Sequence, residues 1–113
     1  ISLQRTSRSR EFIAQAGSFG LTILSSEQQA ISEIFAGRLD DSTDRFENIE
    51  TETLVTGAPL IKGGLAWMDC RVVQTLDAGM NTLFIAEVLA ARGDGQGSPL
   101  IYHNRDYWRL SKP

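Results

Sequence analysis

The sequence predicts an α+β fold in which two short helices interrupt a run of antiparallel strands and the sheet closes into a barrel. Three observations predict it. Ala66, Met68, Cys70 and Val72 alternate with Trp67, Asp69, Arg71 and Val73, the period-2 pattern of a half-buried strand. Ala30, Ile31, Ile34 and Phe35 recur at helical spacing ahead of Gly37. Strand-forming runs fill the second half of the chain between glycine-rich breaks, with no helical pattern among them.

Taken in order, Ile1 to Gln4 reads as the end of a strand already in progress, which leads us to expect further chain upstream. Ser7 suits an N-cap, with Glu11 near the positive end of a helix over residues 9–15 that Gly17 terminates. Phe19-Gly20-Leu21-Thr22-Ile23-Leu24 is rich in strand formers and reads as a buried strand. Ser26 with Gln29 three positions on forms a capping box for the second helix. Residues 38–50 are polar and acidic, a surface loop with one turn of helix and Phe46 as its large apolar anchor. A short strand over residues 50–56, a turn at Gly57-Ala58-Pro59 and a bend at Gly63-Gly64 lead into the alternating strand from Ala66. A turn over residues 76–79 precedes a strand over 82–91, residues 93–97 form a flexible hairpin-type connection, and Pro99 opens a last short strand leading to Tyr107-Trp108-Arg109-Leu110. No repeat or linker divides the chain, so residues 1–113 read as one domain.

Composition bounds the function. The chain is 42% hydrophobic and 22% charged, ordinary for a globular domain. Its apolar stretches fall short of a membrane span, and a basic n-region with an apolar h-region is absent, so no membrane association is expected. The net charge of -3, with no basic run after residue 10, argues against nucleic acid. One cysteine, Cys70, excludes an internal disulfide and any cysteine metal cluster, which makes a reducing, cytoplasmic setting the default. Cys70 itself reads as a small core residue.

Hydrolase and metal chemistry start poorly: the sequence holds neither G-x-S-x-G nor H-E-x-x-H nor C-x-x-C. The single histidine, His103, reads as an ordinary hydrogen-bonded edge residue, and the carboxylates of residues 40–52 as a solvated loop face.

Ser2 to Ser9, Phe19 to Leu24, Gln28, Phe35-Ala36, Asp44-Arg45-Phe46, Gly57-Ala58-Pro59-Leu60 through Gly64, Asp69-Cys70-Arg71, Leu83 to Val88 and Pro99 to Tyr107 stand in an order and at spacings that resemble the flavin reductase family over nearly the whole chain. The resemblance implies an FMN-binding split barrel that dimerises, binds FMN or FAD, oxidises NADH or NADPH, and supplies reduced flavin to a separate monooxygenase. It also implies that an N-terminal flavin-contacting segment of the family precedes Ile1.

A flavin carries its own hydride acceptor, so the protein must supply a phosphate cradle, donors facing the pyrimidine ring and an open face for nicotinamide. Arg5-Thr6-Ser7-Arg8-Ser9 meets the first demand, since hydroxyls, backbone N–H groups and guanidinium at a helix start suit a phosphate. The segment resembles the family's S-x-T motif, with Ser9 in place of threonine; a plain N-cap is the competing reading for it. Thr22 stands where many members have asparagine and is a candidate ring contact. Arg45 and Phe46 match the family's Arg-Phe pair near the flavin, while Phe46 reads equally as an anchor for the acidic loop. Many members carry Gly-Asp-His where this chain has Gly79-Met80-Asn81, and an amide cannot carry the charge of a histidine. Asn81 and Tyr107 are therefore candidates for the nicotinamide side, and the change favours a second reading, a flavin-binding module without turnover. A third is a dimerisation domain with a degenerate pocket.

Overall fold

The computed structural model describes residues 1–37, 44–93 and 95–113; the part of the acidic loop at residues 38–43, and Asp94 in the glycine connection, lie outside the described residues. The elements run β1 (Ser2–Gln4), α1 (Arg8–Ala16), β2 (Ser18–Ile23), α2 (Gln29–Ala36), β3 (Thr51–Glu52), β4 (Leu60–Ile61), β5 (Ala66–Ala78), β6 (Asn81–Gly93), β7 (Ile101–His103) and β8 (Asp106–Trp108). A four-stranded antiparallel sheet in the order β1-β6-β5-β2 is joined by the pairs β3–β4 and β7–β8. The chain leaving β2 carries the pairing onward: Leu100 N–H donates to Leu24 O at 2.9 Å and Ser26 N–H to Ser98 O at 2.8 Å. The result is an antiparallel half-barrel with two helices, the α+β split-barrel class that the sequence predicts.

Two thirteen-residue strands, β5 and β6, form the spine. The turn predicted over residues 76–79 is tighter: β5 continues to Ala78, and the hairpin closes through Gly79-Met80, with Gly79 at φ 60 supplying the positive torsion at the first central position. Two register shifts, at Asp69/Cys70 and Val72/Gln74, bend the ribbon. At Asp69 and Cys70 both faces of β5 are covered, so the face expected to be wet is not: Asp69 is 0% exposed.

Other differences have local causes. The strand predicted over residues 50–56 shrinks to Thr51–Glu52, because the N–H groups of Val55 and Thr56 go to the Asp69 carboxylate instead of a ladder. The capping box at Ser26 does not form. Gln28 is the N-cap position, its side chain accepts the Ser25 N–H at 3.0 Å, and helix α2 starts at Gln29, later than a cap at Ser26 would place it. The last strand is a hairpin, β7–β8, turned by Asn104 and Arg105 at φ 52 and 65, the paired positive torsions of a type I′ turn. β2 is half-buried rather than buried. Gly17 ends α1 at φ 70, and Ser7 caps it as expected. Leu60, Cys70 and Phe84 are the buried apolar core. Among the described residues no helix is long and apolar enough to cross a membrane.

Candidate functional site

Helix α1 connects β1 to β2, the two outer strands of the sheet, and is tied to β6 and β5 by one hydrogen bond near each end. Near its start Arg10 Nε donates to Thr82 Oγ1 at 3.2 Å, and beyond its end Gly17 O accepts the Val72 N–H at 2.9 Å. The helix therefore has two flanks, and the flavin-side candidates divide between them.

On one flank three adjoining clefts of about 510, 450 and 310 Å³ share Phe35 and Phe46. The first runs from Ser9 and Phe12 on α1, past Gly20 on β2, to Thr56, Gly57, Ala58 and Pro59. The second adds Thr22, and the third brings Arg8 and Arg45 to Ser9. Five of the sequence candidates, Arg8, Ser9, Thr22, Arg45 and Phe46, are thus gathered around one aromatic pair. The rings of Phe35 and Phe46 meet edge to face, with centroids 5.0 Å apart. Phe46 therefore packs against α2 through Phe35, as the anchor reading expects, and it also lines the three clefts. The Arg8 guanidinium lies 5.1 Å from the centre of the Phe12 ring. Thr22 Oγ1 accepts the Ile61 N–H at 3.1 Å, which leaves its own proton for a ligand acceptor.

Arg5 stands on the other flank, in a cleft of about 520 Å³ with Thr6, Arg10, Gly79 and Met80. It pairs with Asp77 at 3.7 Å and donates to Gly79 O at 3.4 Å. Ser7 lines none of these clefts: its hydroxyl accepts the Arg10 N–H at 3.2 Å and donates to Gln4 O at 2.8 Å, the plain cap. Asn81 sits at the hairpin end of the ribbon and donates to Ser2 Oγ at 3.0 Å. Tyr107 lies against α2, its hydroxyl donating to Ser32 Oγ at 3.0 Å and its ring 5.1 Å from that of Tyr102. The last two do not meet the five around Phe46.

The residue that sequence reasoning missed is Asp69. Its carboxylate accepts the N–H of Val55 at 2.7 Å, the N–H of Thr56 at 2.8 Å and the Thr56 hydroxyl. Burial pushes its pKa up, but the Thr56 hydroxyl and the two backbone donors outweigh this and hold it below the ordinary value. Thr56 Oγ1 in turn accepts the Ala58 N–H at 3.1 Å. The available signal was an acid inside an otherwise apolar Trp-Met-Asp-Cys strand, preceded by a Thr-Gly-Ala-Pro turn. Beside it, burial first and then the Asp69 charge raise the Cys70 thiol pKa, which fits a core residue.

An open cleft that sets cations and a hydroxyl at one end of an aromatic wall suits a planar ligand with an anionic tail. Across residues 1–111 the chain matches the flavin reductase like domain, and it belongs to that family. It is 28% identical over 111 residues to the FMN reductase (NADH) RutF of Stutzerimonas stutzeri, covering 98% of this chain and 63% of that protein. Among solved structures it resembles the flavin reductase PheA2 at 34% identity and TM-score 0.85, over 99% of this chain and 69% of that one. It also resembles the styrene monooxygenase flavin reductase SMOB of Pseudomonas putida S12 at 30% identity and TM-score 0.81, over 100% and 70%. The chain spans 51–63% of the length of the curated RutF relatives it matches.

Proposed function

We propose that this protein is an NAD(P)H-dependent flavin reductase that reduces FMN or FAD as a homodimer and supplies reduced flavin to a partner monooxygenase. In this reading residues 1–113 are a single flavin reductase-like FMN-binding split-barrel domain, working in the cytoplasm, where the lone buried thiol of Cys70 needs no protection. The observation that carries the reading is the convergence of Arg8, Ser9, Arg45, Phe46 and Thr22 on adjoining clefts, in a chain that belongs to the flavin reductase like family. The names of RutF, an NADH-dependent FMN reductase, and of SMOB, a styrene monooxygenase component, supply the nucleotide and the type of partner.

The donor set fits the group. Guanidinium at Arg8 and Arg45, with the Ser9 hydroxyl, would hold the flavin phosphate; Phe12, Phe35 and Phe46 would exclude water from the ring; the Thr22 hydroxyl would donate to a ring acceptor. When bound, flavin supplies the hydride acceptor, and the protein's task is to orient it and leave one face open. Arg5 belongs to a separate anionic contact beside the Gly79-Met80 turn, and Ser7 acts through the cap that fixes where Arg8 and Ser9 stand. Tyr107 borders a further cleft of about 400 Å³ that adjoins the second through Ser32 and Ala36, so it can edge a nucleotide there. The dimer reading rests on Val73, Leu76, Met80, Ile85 and Val88, apolar side chains at least half exposed on the β5–β6 ribbon.

The test is anaerobic: FMN and then NADH are added to the purified protein. Bleaching of the flavin far faster than free flavin and NADH react supports the reading, and an uncatalysed rate refutes it. One observation favours a second reading, a flavin-binding module without turnover. Asn81 stands where many family members have histidine, and its amide is committed to Ser2 Oγ. That reading predicts tight flavin binding with no NAD(P)H oxidation.

A further inference from the structure

We propose that Asp69 is a positioning residue that builds the Thr56–Pro59 wall of the flavin cleft from inside the sheet; the inference rests on the flavin reading above. Asp69 belongs to strand β5, is 0% exposed, and does not line the clefts around Phe46. Its side-chain hydrogen bonds go to the loop that does. One carboxylate oxygen takes the N–H groups of Val55 and Thr56, and the other takes the Thr56 hydroxyl. A carboxylate can only accept, so the single Thr56 proton must point at Asp69, and that leaves the hydroxyl lone pair for the Ala58 N–H. The relay Asp69–Thr56–Ala58 thus fixes the direction of each bond, and with it the turn at Gly57, whose φ of 86 no ordinary side chain adopts readily. Pro59 follows, and Gly20 on the neighbouring strand is packed so closely that an added Cβ would sit 2.8 Å from Pro59 O. The loop is clamped from both sides, and its exposed edge is the cleft wall.

An amide at position 69 has one acceptor oxygen: if that oxygen keeps the N–H groups of Val55 and Thr56, the NH₂ group faces the Thr56 hydroxyl, whose proton then loses its acceptor, so Asp69→Asn misdirects the relay. Thr56→Val keeps the side-chain shape and removes only the hydroxyl, and Thr56→Ser restores it. The experiment measures flavin Kd by fluorescence quenching, amide hydrogen exchange at residues 55–58 without flavin, and Tm, for the protein and for Asp69→Asn, Thr56→Val, Thr56→Ser and Phe84→Leu. Phe84 is a buried core residue outside the clefts and controls for a plain loss of stability.

Thr56→Val is expected to raise the flavin Kd by about 10-fold and to speed exchange at Ala58 by a similar factor, the scale of one lost hydrogen bond in a charge-assisted relay. Thr56→Ser should return both to within about 2-fold of the parent. Phe84→Leu should lower Tm at unchanged flavin Kd. Equal flavin affinity in Thr56→Val and the parent overturns the proposal, as does a Phe84→Leu variant that loses flavin in step with its Tm. If the unaltered protein takes up no flavin, the functional reading falls and this inference with it. Should Asp69→Asn fail to fold, the Thr56 pair still decides.

Discussion

Gly20 on β2 packs directly against Pro59 and Leu60. A Cβ built there would lie 2.7 Å from Leu60 Cδ2 and 2.8 Å from Pro59 O, and the second of these is backbone that cannot swing away. Gly20→Ala should therefore cost about 1–3 kcal/mol, read as a lower denaturant midpoint at unchanged slope. Asp69 makes a prediction of the opposite kind, because its cost depends on pH. Its folded-state pKa lies below the ordinary 3.8, so the ion stabilises the fold fully above about pH 4, and the contribution is lost as pH falls through the folded value. Asp69→Asn should then lose about 2 kcal/mol at pH 7, and the gap to the parent should narrow in unfolding curves taken toward pH 3. A gap that stays constant with pH would mean that the charge contributes nothing. Little of this was legible in the sequence. Strict alternation sends Asp69 to a wet face, and only the fold reveals that residues 55–59 cover it.

Helix α1 shows what a short element needs. It has no fully buried residue, so its ends matter more than its face. Ser7 makes both cap bonds, and Gly17 at φ 70 closes the other end with its N–H on Ile13 O. Ser7→Ala should lower stability by about 1 kcal/mol. Ser9→Ala, on the cleft flank, should instead weaken flavin binding several-fold at nearly unchanged Tm. Parallel titrations and melts of the two variants check this, and a reversed pattern would put the phosphate at the cap after all. Elements of this sort were readable from local chemistry, since Ser7 and Gly17 bracket α1 within a residue of its observed ends. Where the partner is remote the reading failed. Ser26 looks like a cap, but its N–H is taken by Ser98 O, seventy-two residues on, and Gln28 folds back onto Ser25. The β7–β8 hairpin was hidden because Asn104 and Arg105, not glycines, carry the positive torsions. The division of the candidates by α1 was equally invisible: Arg5 and Arg8 are three residues apart, yet Asp77 and Gly79 draw Arg5 to the far flank.

At the scale of the molecule, the sheet covers itself at one end and not at the other. From Val73 onward every β5 residue is exposed, and Leu76 pairs with Leu83 on the face that Ile85, two residues along β6, shares. Leu76 and Ile85 are each about half exposed and Met80 is 81% exposed at the tip, a concentration of apolar surface that a lone chain leaves in water. A second copy covers it most economically, because a two-fold interface uses the same patch twice. The double variant Leu76→Glu, Ile85→Glu would place four carboxylates in such an interface. It should convert the protein from twice to once the chain mass in sedimentation equilibrium, while the isolated fold, altered only at its surface, keeps its Tm to within a few degrees. A parent that already sediments at the chain mass, or a double variant that still pairs, would refute the interface. The clefts around Phe46 are walled by α1, β2, α2 and the loops around Phe46 and Ala58, and none of Leu76, Met80 and Ile85 lines them, so this apolar surface is surplus to the cleft of one chain and open to a second copy.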